Sequence, residues 1–257
     1  MVKLADLDWK TYESRVSNGD AVILLPIGAI EQHGPHMSMN PDVLIPEAIS
    51  EGVSQRLPNA LVAHPIAYGY KSQVRSGGGN FFPGTTCING KTLIDTIKDV
   101  VVAYARHGNR KFVLVNGHYE NSMFIIEGID LALEHLRHEG IDAKVVVLSY
   151  WDFVTQETIE EVFPDGFTGW DVEHGGVLET SLMLHLHPEL VNMDKVMDHE
   201  PATFPPYDVF PSDPSWVPES GTLSSARKAT AEHGKLLMSV CVEGIASAIR
   251  ERFSGTK

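Results

Sequence analysis

Two mirrored pairs, Glu31-x-His33 and His118-x-Glu120, put two carboxylates and two imidazoles at matching two-residue spacings. In extended backbone, residues i and i+2 project to the same side, so each pair can aim both heads at one point. Each pair follows an apolar, strand-like run: Ala21-Val-Ile-Leu-Leu-Pro-Ile27 before the first, Lys111-Phe-Val-Leu-Val115 before the second. Side chains just beyond the strand ends of a parallel sheet line its ligand crevice. Asn40-Pro-Asp42 reads as a loop ahead of a helix opening at Pro46, so Asp42 can return to the same crevice. Its two carboxylate oxygens suit a bridge between two ions. Oxygen and nitrogen ligands without thiolate favour Zn²⁺ or Mn²⁺ over softer metals. Two such ions can share a water, lower its pKa and polarise a carbonyl, which is metal-assisted hydrolysis. The competing reading is scattered polar residues in surface loops; two pairs, each placed after a strand, weigh against it.

A third cluster is Trp170-Asp-Val-Glu-His174-Gly-Gly-Val-Leu-Glu179. His174 stands just before two glycines and a helix, where it can either deliver a proton to substrate or cap the helix. Trp151 and Trp170 suit aromatic walls for a flat ligand, though each alone also fits a core position. Ser76-Gly-Gly-Gly-Asn80 lacks the Gly-Lys-Ser/Thr ending of a phosphate loop and the spacing of a dinucleotide fold. Its backbone amides can face a small substrate, or the segment is a flexible turn. His185 and His187 lie two apart in a helical stretch and so face different directions. His135 and His138 close a helix, where imidazole complements the dipole.

The elements that must position these residues alternate. Strand-like Ala21–Ile27, Leu61–Ile66, Lys111–Val115 and Lys144–Tyr150 are separated by helical stretches at Thr92–Ala105 and Asn121–His138. A helix follows from Val177 to Pro188, and a long one, Ser224–Phe253, closes the chain. This predicts an α/β fold, a mostly parallel sheet with helices on both faces in a three-layer sandwich. The apolar run at 144–150 predicts a strand buried on both faces. Residues 1–257 are expected to form one domain. Pro201–Pro218 holds six prolines with Phe204, Tyr207, Phe210 and Trp216 among them, so an arm over the site or onto a neighbouring subunit is expected, rather than a disordered linker.

Composition excludes several functions. The 257 residues carry 20 Lys plus Arg against 34 Asp plus Glu, a formal charge of −14, which disfavours nucleic acid and anionic membrane surfaces. No apolar run approaches the roughly 20 residues that span a bilayer. Cys87 and Cys241 are far apart, and a reducing cytoplasm is the expected location.

At these residues the chain resembles the creatininase family. Glu31-Gln-His-Gly-Pro-His36, Met39-Asn-Pro-Asp42, Ser76-Gly-Gly-Gly-Asn80, Pro83-Gly-Thr-Thr86 and Asn116-Gly-His-Tyr-Glu-Asn-Ser122 all carry the resemblance. So do Ser149-Tyr-Trp-Asp-Phe153, Trp170-Asp-Val-Glu-His-Gly-Gly176 and the stretch Pro201–Phe210. The resemblance implies two metals, Zn²⁺ and Mn²⁺, bridged by Asp42. Glu31 and His118 would hold one, His33 and Glu120 the other, with His36 outside the ligand set. It implies that His174 moves the proton and Glu120 assists with the water. Ser76, Tyr119, Trp151, Trp170 and Asp171 would contact substrate. The implied reaction opens the lactam ring of creatinine with water to give creatine, reversibly, in a homohexamer. Rival readings are another cyclic amide or formamide, attack at the imino carbon with release of ammonia, and a non-catalytic binding module. Phe81 departs from the family pattern, which has a histidine before the Phe-Pro-Gly-Thr run.

Overall fold

The computed structural model describes residues 3–254. Four strands form one sheet: β1 (Val22–Ile27), β2 (Ala60–Val62), β3 (Lys111–Asn116) and β4 (Lys144–Ser149). All neighbours are parallel, in the order β2-β1-β3-β4. The helices are α1 (Trp9–Val16), α2 (Pro41–Arg56), α3 (Val74–Gly77), α4 (Gly90–Arg106), α5 (Ser122–His138), α6 (Gln156–Val162), α7 (Val177–Leu186) and α8 (Ala231–Ser254).

The period-two alternation of the strands divides the core. Ile23, Leu25, Phe112 and Leu114 face one layer, with Leu93, Ile97 and Val101 of α4 and Ile125 and Ile129 of α5. Val22, Leu24, Val113 and Val115 face the other, with α2, α7 and α8 through Ile45, Leu182 and Leu237. The sandwich is therefore three layers, helix on sheet on helix.

Strand order matters for the site. The chain leaves β1 for β2 on one side, then returns to β1's other side as β3. The crevice beyond the ends of β1 and β3 is thus the point where connections diverge, the ordinary place for a ligand in such sheets.

Four sequence expectations need correction. The helix opens at Pro41, not Pro46, so Asp42 lies in its first turn rather than in a loop. Pro46 sits inside α2. Having no N–H, it leaves the Asp42 carbonyl without the usual partner four residues on. The second strand is only Ala60–Val62, with a single bridge at Ile66 continuing beside β1. Strand β4 is an edge: Leu148 is its one buried residue and Val147 is exposed, because among the described residues no strand pairs with its outer side. The last helix starts at Ala231, where the Thr230 hydroxyl accepts the N–H of His233.

Residues 200–219 form an arm with one short helical turn at Pro214–Trp216. Its neck is tied by Ala202 N–H to the Leu223 carbonyl at 2.8 Å. His199 Nε2 adds contacts with Thr222 Oγ1 at 2.9 Å and Ser220 Oγ at 3.0 Å. Tyr207 and Trp216 meet edge-on within it. Among the described residues no helix is long and apolar enough to cross a membrane.

Candidate metal centre and active site

The ends of β1 and β3 are stitched together before any ligand is placed. Gly117 N–H donates to the Ile27 carbonyl at 2.8 Å, and Asn121 Nδ2 donates to the Gly28 carbonyl at 3.0 Å. A Cβ on Gly28 would lie 2.2 Å from the Asp42 carbonyl oxygen, and one on Gly117 would lie 2.3 Å from the same atom. Only glycines allow the first turn of α2 to press against both strand ends. This close approach brings Asp42 between Glu31 and His118.

Glu31, His33, Asp42 and His118 are all buried. Glu31 Oε2 and Asp42 Oδ2 lie 3.1 and 3.2 Å from His118 Nδ1. Asp42 Oδ1 lies 3.0 Å from His33 Nε2. The two oxygens of Asp42 thus face two different histidines. The far nitrogen of each imidazole is engaged by backbone: His33 Nδ1 by the Glu31 carbonyl and His118 Nε2 by the Tyr70 carbonyl, both at 3.1 Å. A metal-ligating histidine is held in this way, one nitrogen donating to a carbonyl and the other presented as a lone pair.

Glu120 does not reach His33. The chain turns into a short helix over Tyr119–Asn121 straight after His118, which ends the extended geometry assumed for the pair. Glu120 Oε2 instead stands 3.4 Å from His118 Nε2. Its Oε1 accepts from Ser76 Oγ and from Gln73 N–H, each at 2.7 Å. The carboxylate beside His33 belongs to Glu179, whose Oε2 is 3.6 Å from His33 Nε2. Two triads share Asp42, Glu31–Asp42–His118 and His33–Asp42–Glu179, and a third group, Glu31–His33–His174, lies across them. Sequence reasoning passed over Glu179. Its available signal was its place in the first turn of α7, after Gly175 and Gly176, five residues beyond His174.

The electrostatics fit cations at both triads. Burial pushes the Glu31 carboxyl up to about 7 against the pull of His118. Burial also works to raise Asp42, but His33 and His118 outweigh it and hold this carboxyl well below the usual range. Burial opposes charge on both imidazoles, yet Asp42 and Glu179 raise His33, and Glu120 and Glu31 raise His118. The carboxylates around both imidazoles thus outnumber the positive charge available to them. Glu31 Oε1 and Asp42 Oδ2 remain buried without a hydrogen bond. A site with such orphaned acceptors and no sulfur is suited to Zn²⁺ or Mn²⁺.

The centre lies in the wall of a cavity of about 620 Å³. Ser76, Tyr119, Trp151, Trp170, Asp171 and His174 all line it, so the structure brings each of these sequence candidates to one space. The arm also contributes, through Phe204, Asp208 and Phe210. Trp170 is 44% exposed and packs edge-on against Phe167, while Trp151 packs edge-on against Tyr150. Burial, reinforced by His33, holds His174 well below its usual pKa. His36 is turned to Thr180 Oγ1 at 2.9 Å. Phe81 packs at a tilt against Phe82 and takes no part in the cavity wall.

Comparison with known proteins assigns the chain to a family. The family model described as creatininase, creatinine amidohydrolase, matches residues 5–249. A creatinine amidohydrolase of Pseudomonas putida is 61% identical over 257 residues, covering 99% of this chain and 98% of that one. A manganese form of creatininase superposes with a TM-score of 0.97 at 60% identity, covering 99% of each chain. A glutamate-to-glutamine creatininase variant, solved in complex with creatine, superposes with a TM-score of 0.96 at 60% identity, again covering 99% of each chain. The same glutamate-to-glutamine substitution has also been solved as a Zn–Zn form. With the parallel sheet, the shared carboxylate and a match running almost end to end, the chain belongs to the creatininase family.

Proposed function

We propose that this protein opens the lactam ring of creatinine with water to give creatine, at a centre of two divalent cations. The observation that carries the reading is the pair of buried triads sharing Asp42 in the wall of an aromatic-lined cavity. The relative crystallised with creatine supports the choice of substrate.

Glu31, His118 and one oxygen of Asp42 would hold one cation; His33, Glu179 and the other Asp42 oxygen would hold the second. Zn²⁺ or Mn²⁺ bound there would activate water and polarise the ring carbonyl. Trp151 and Trp170 flank the flat ring and exclude bulk water. Asp171 and Glu120 present carboxylates to the N–H groups of the guanidine portion, and Ser76 fixes Glu120 in place. Glu120, beside His118, also assists in orienting the water. Ring nitrogen is a poor leaving group until protonated, and His174 delivers that proton. The catalytic pair is therefore His174 and Glu120, with Tyr119 closing the cavity mouth.

We also read the protein as a cytoplasmic homohexamer. The family resemblance supports that assembly, and the open edge of β4 is a surface for such contacts; light scattering on a sizing column tests it.

The test of the activity is an endpoint assay with creatinine before and after chelation, with Mn²⁺ or Zn²⁺ restored. Metal-dependent creatine without ammonia is expected. Ammonia without creatine would move attack to the imino carbon, and no product would remove the reading.

A further inference from the structure

Gln32 sits between two candidate ligands, yet its own side chain points at neither metal triad. Its amide nitrogen donates to the Gly221 carbonyl at 2.7 Å and lies 3.5 Å from the Gly77 carbonyl. Its amide oxygen accepts the Gly34 N–H at 2.9 Å. Those partners fix the amide's orientation, because the reversed amide would set its oxygen against two carbonyls.

The same residue touches His174 twice. The backbone carbonyl of Gln32 lies 2.9 Å from His174 Nε2, and the side-chain nitrogen lies 3.1 Å from that atom. A carbonyl oxygen can only accept, so at 2.9 Å Nε2 must carry the hydrogen. The Gln32 amide can turn its hydrogens to Gly221 and Gly77 and needs no acceptor on the imidazole. Among the described residues, Nδ1 of His174 has no hydrogen-bond partner, and the residue lines the cavity.

We propose that Gln32 is a positioning residue for the hydrolysis, holding His174 as the Nε2–H tautomer so that Nδ1 is the atom that moves the proton. The inference rests on the reading that His174 is the proton carrier. As the water oxygen bonds to the carbonyl carbon, Nδ1 takes the proton released from the water. As the carbon–nitrogen bond breaks, Nδ1 returns that proton to the ring nitrogen, and the imidazole ends as it began. Through Gly77 and Gly221 the Gln32 side chain also joins His174 to the glycine-rich loop and to the neck of the arm. Substrate contacts on Ser76 and on the arm are thereby placed relative to one imidazole.

Neutron diffraction from deuterated, metal-loaded crystals reads the tautomer directly. A deuteron on His174 Nε2, directed at the Gln32 carbonyl, with none on Nδ1, is the expected result. A deuteron on Nδ1 and a bare Nε2 would overturn the proposal while leaving His174 a proton carrier. A metal bound to Nδ1 would overturn the role of His174 itself. Gln32→Met tests the side chain. Its kcat should fall roughly 10–100-fold, with KM within about threefold of wild type and both metals retained. An unchanged kcat, or a loss of activity that excess metal restores, would overturn the positioning role.

Discussion

Replacing Gly28 with alanine tests how finely the fold holds Asp42. Gly28 has no unusual backbone angle, so the added methyl brings no backbone strain and acts through contact alone. Its Cβ would lie 2.2 Å from the Asp42 carbonyl oxygen, whereas Cβ contacts under 3.0 Å are essentially absent from real structures. The first turn of α2 must therefore retreat by about 0.8 Å. Metal–ligand distances tolerate only about ±0.2 Å, so a rigid retreat of that size takes Asp42 out of range of at least one cation. Turnover should fall about 100-fold or more, and overpacking should cost about 1–3 kcal/mol. The assay combines metal stoichiometry by plasma emission, a thermal melt and creatine production. Gly52→Ala is the control: it lies in the same helix, and its Cβ would meet a movable Val242 methyl at 2.8 Å. That variant should keep its metals. If Gly28→Ala holds both metals at wild-type affinity with turnover within about threefold, the account of Asp42 placement is wrong.

His174→Ala should lower kcat by roughly 10²–10⁴-fold with metal content intact; loss of metal in this variant would make His174 a ligand. Glu179→Gln should leave one cation per chain, on the Glu31 side, as measured by titration of the metal-free protein. Two retained cations would return the second site to some other carboxylate. Chelation should lower Tm by about 8–16 °C, taking about 4 kcal/mol for a metal at 1,000 times its Kd and about 2–4 °C per kcal/mol in a chain of this size. An unmoved Tm would mean that the folded chain has no such site. Burial pushes the Glu173 carboxyl up from 4.5 to about 8, so the native chain keeps a proton that the unfolded chain releases between those values. Stability should therefore fall as pH rises through that window. Glu173→Gln should match the wild-type Tm near pH 4 and exceed it at pH 9; equal melts at both would refute the shift.

Periodicity revealed the parallel sheet because buried strands and amphipathic helices are written in local pattern. The alternation that sends Ile23 and Leu24 to opposite layers was visible in the residues themselves. Asp42 was harder to place, since Pro46 looked like a helix start and proved to be an interior proline. The open flank of β4 was hidden because an apolar run reports hydrophobicity, not which neighbours arrive to cover it. Glu31, His33 and His118 stood out through spacing after strands. The extended-backbone argument failed for Glu120, where a helical turn intervenes. Glu179 escaped notice because its approach to His33 depends on the docking of α7, a contact across more than a hundred residues that local spacing does not encode.

The divergence of the chain at β1 and β3 has a consequence for inheritance. Glu31 and His118 hang from the two central strands, while the cavity walls come from later, separate stretches: Trp151, Trp170 and the arm. Mutation can redraw the walls without moving the strand ends that would grip the cations. The strand-borne ligands and most of the substrate wall are thus carried by different parts of the gene, with the stretch 170–179 belonging to both, and a lineage can revise its diet while Glu31 and His118 stay fixed.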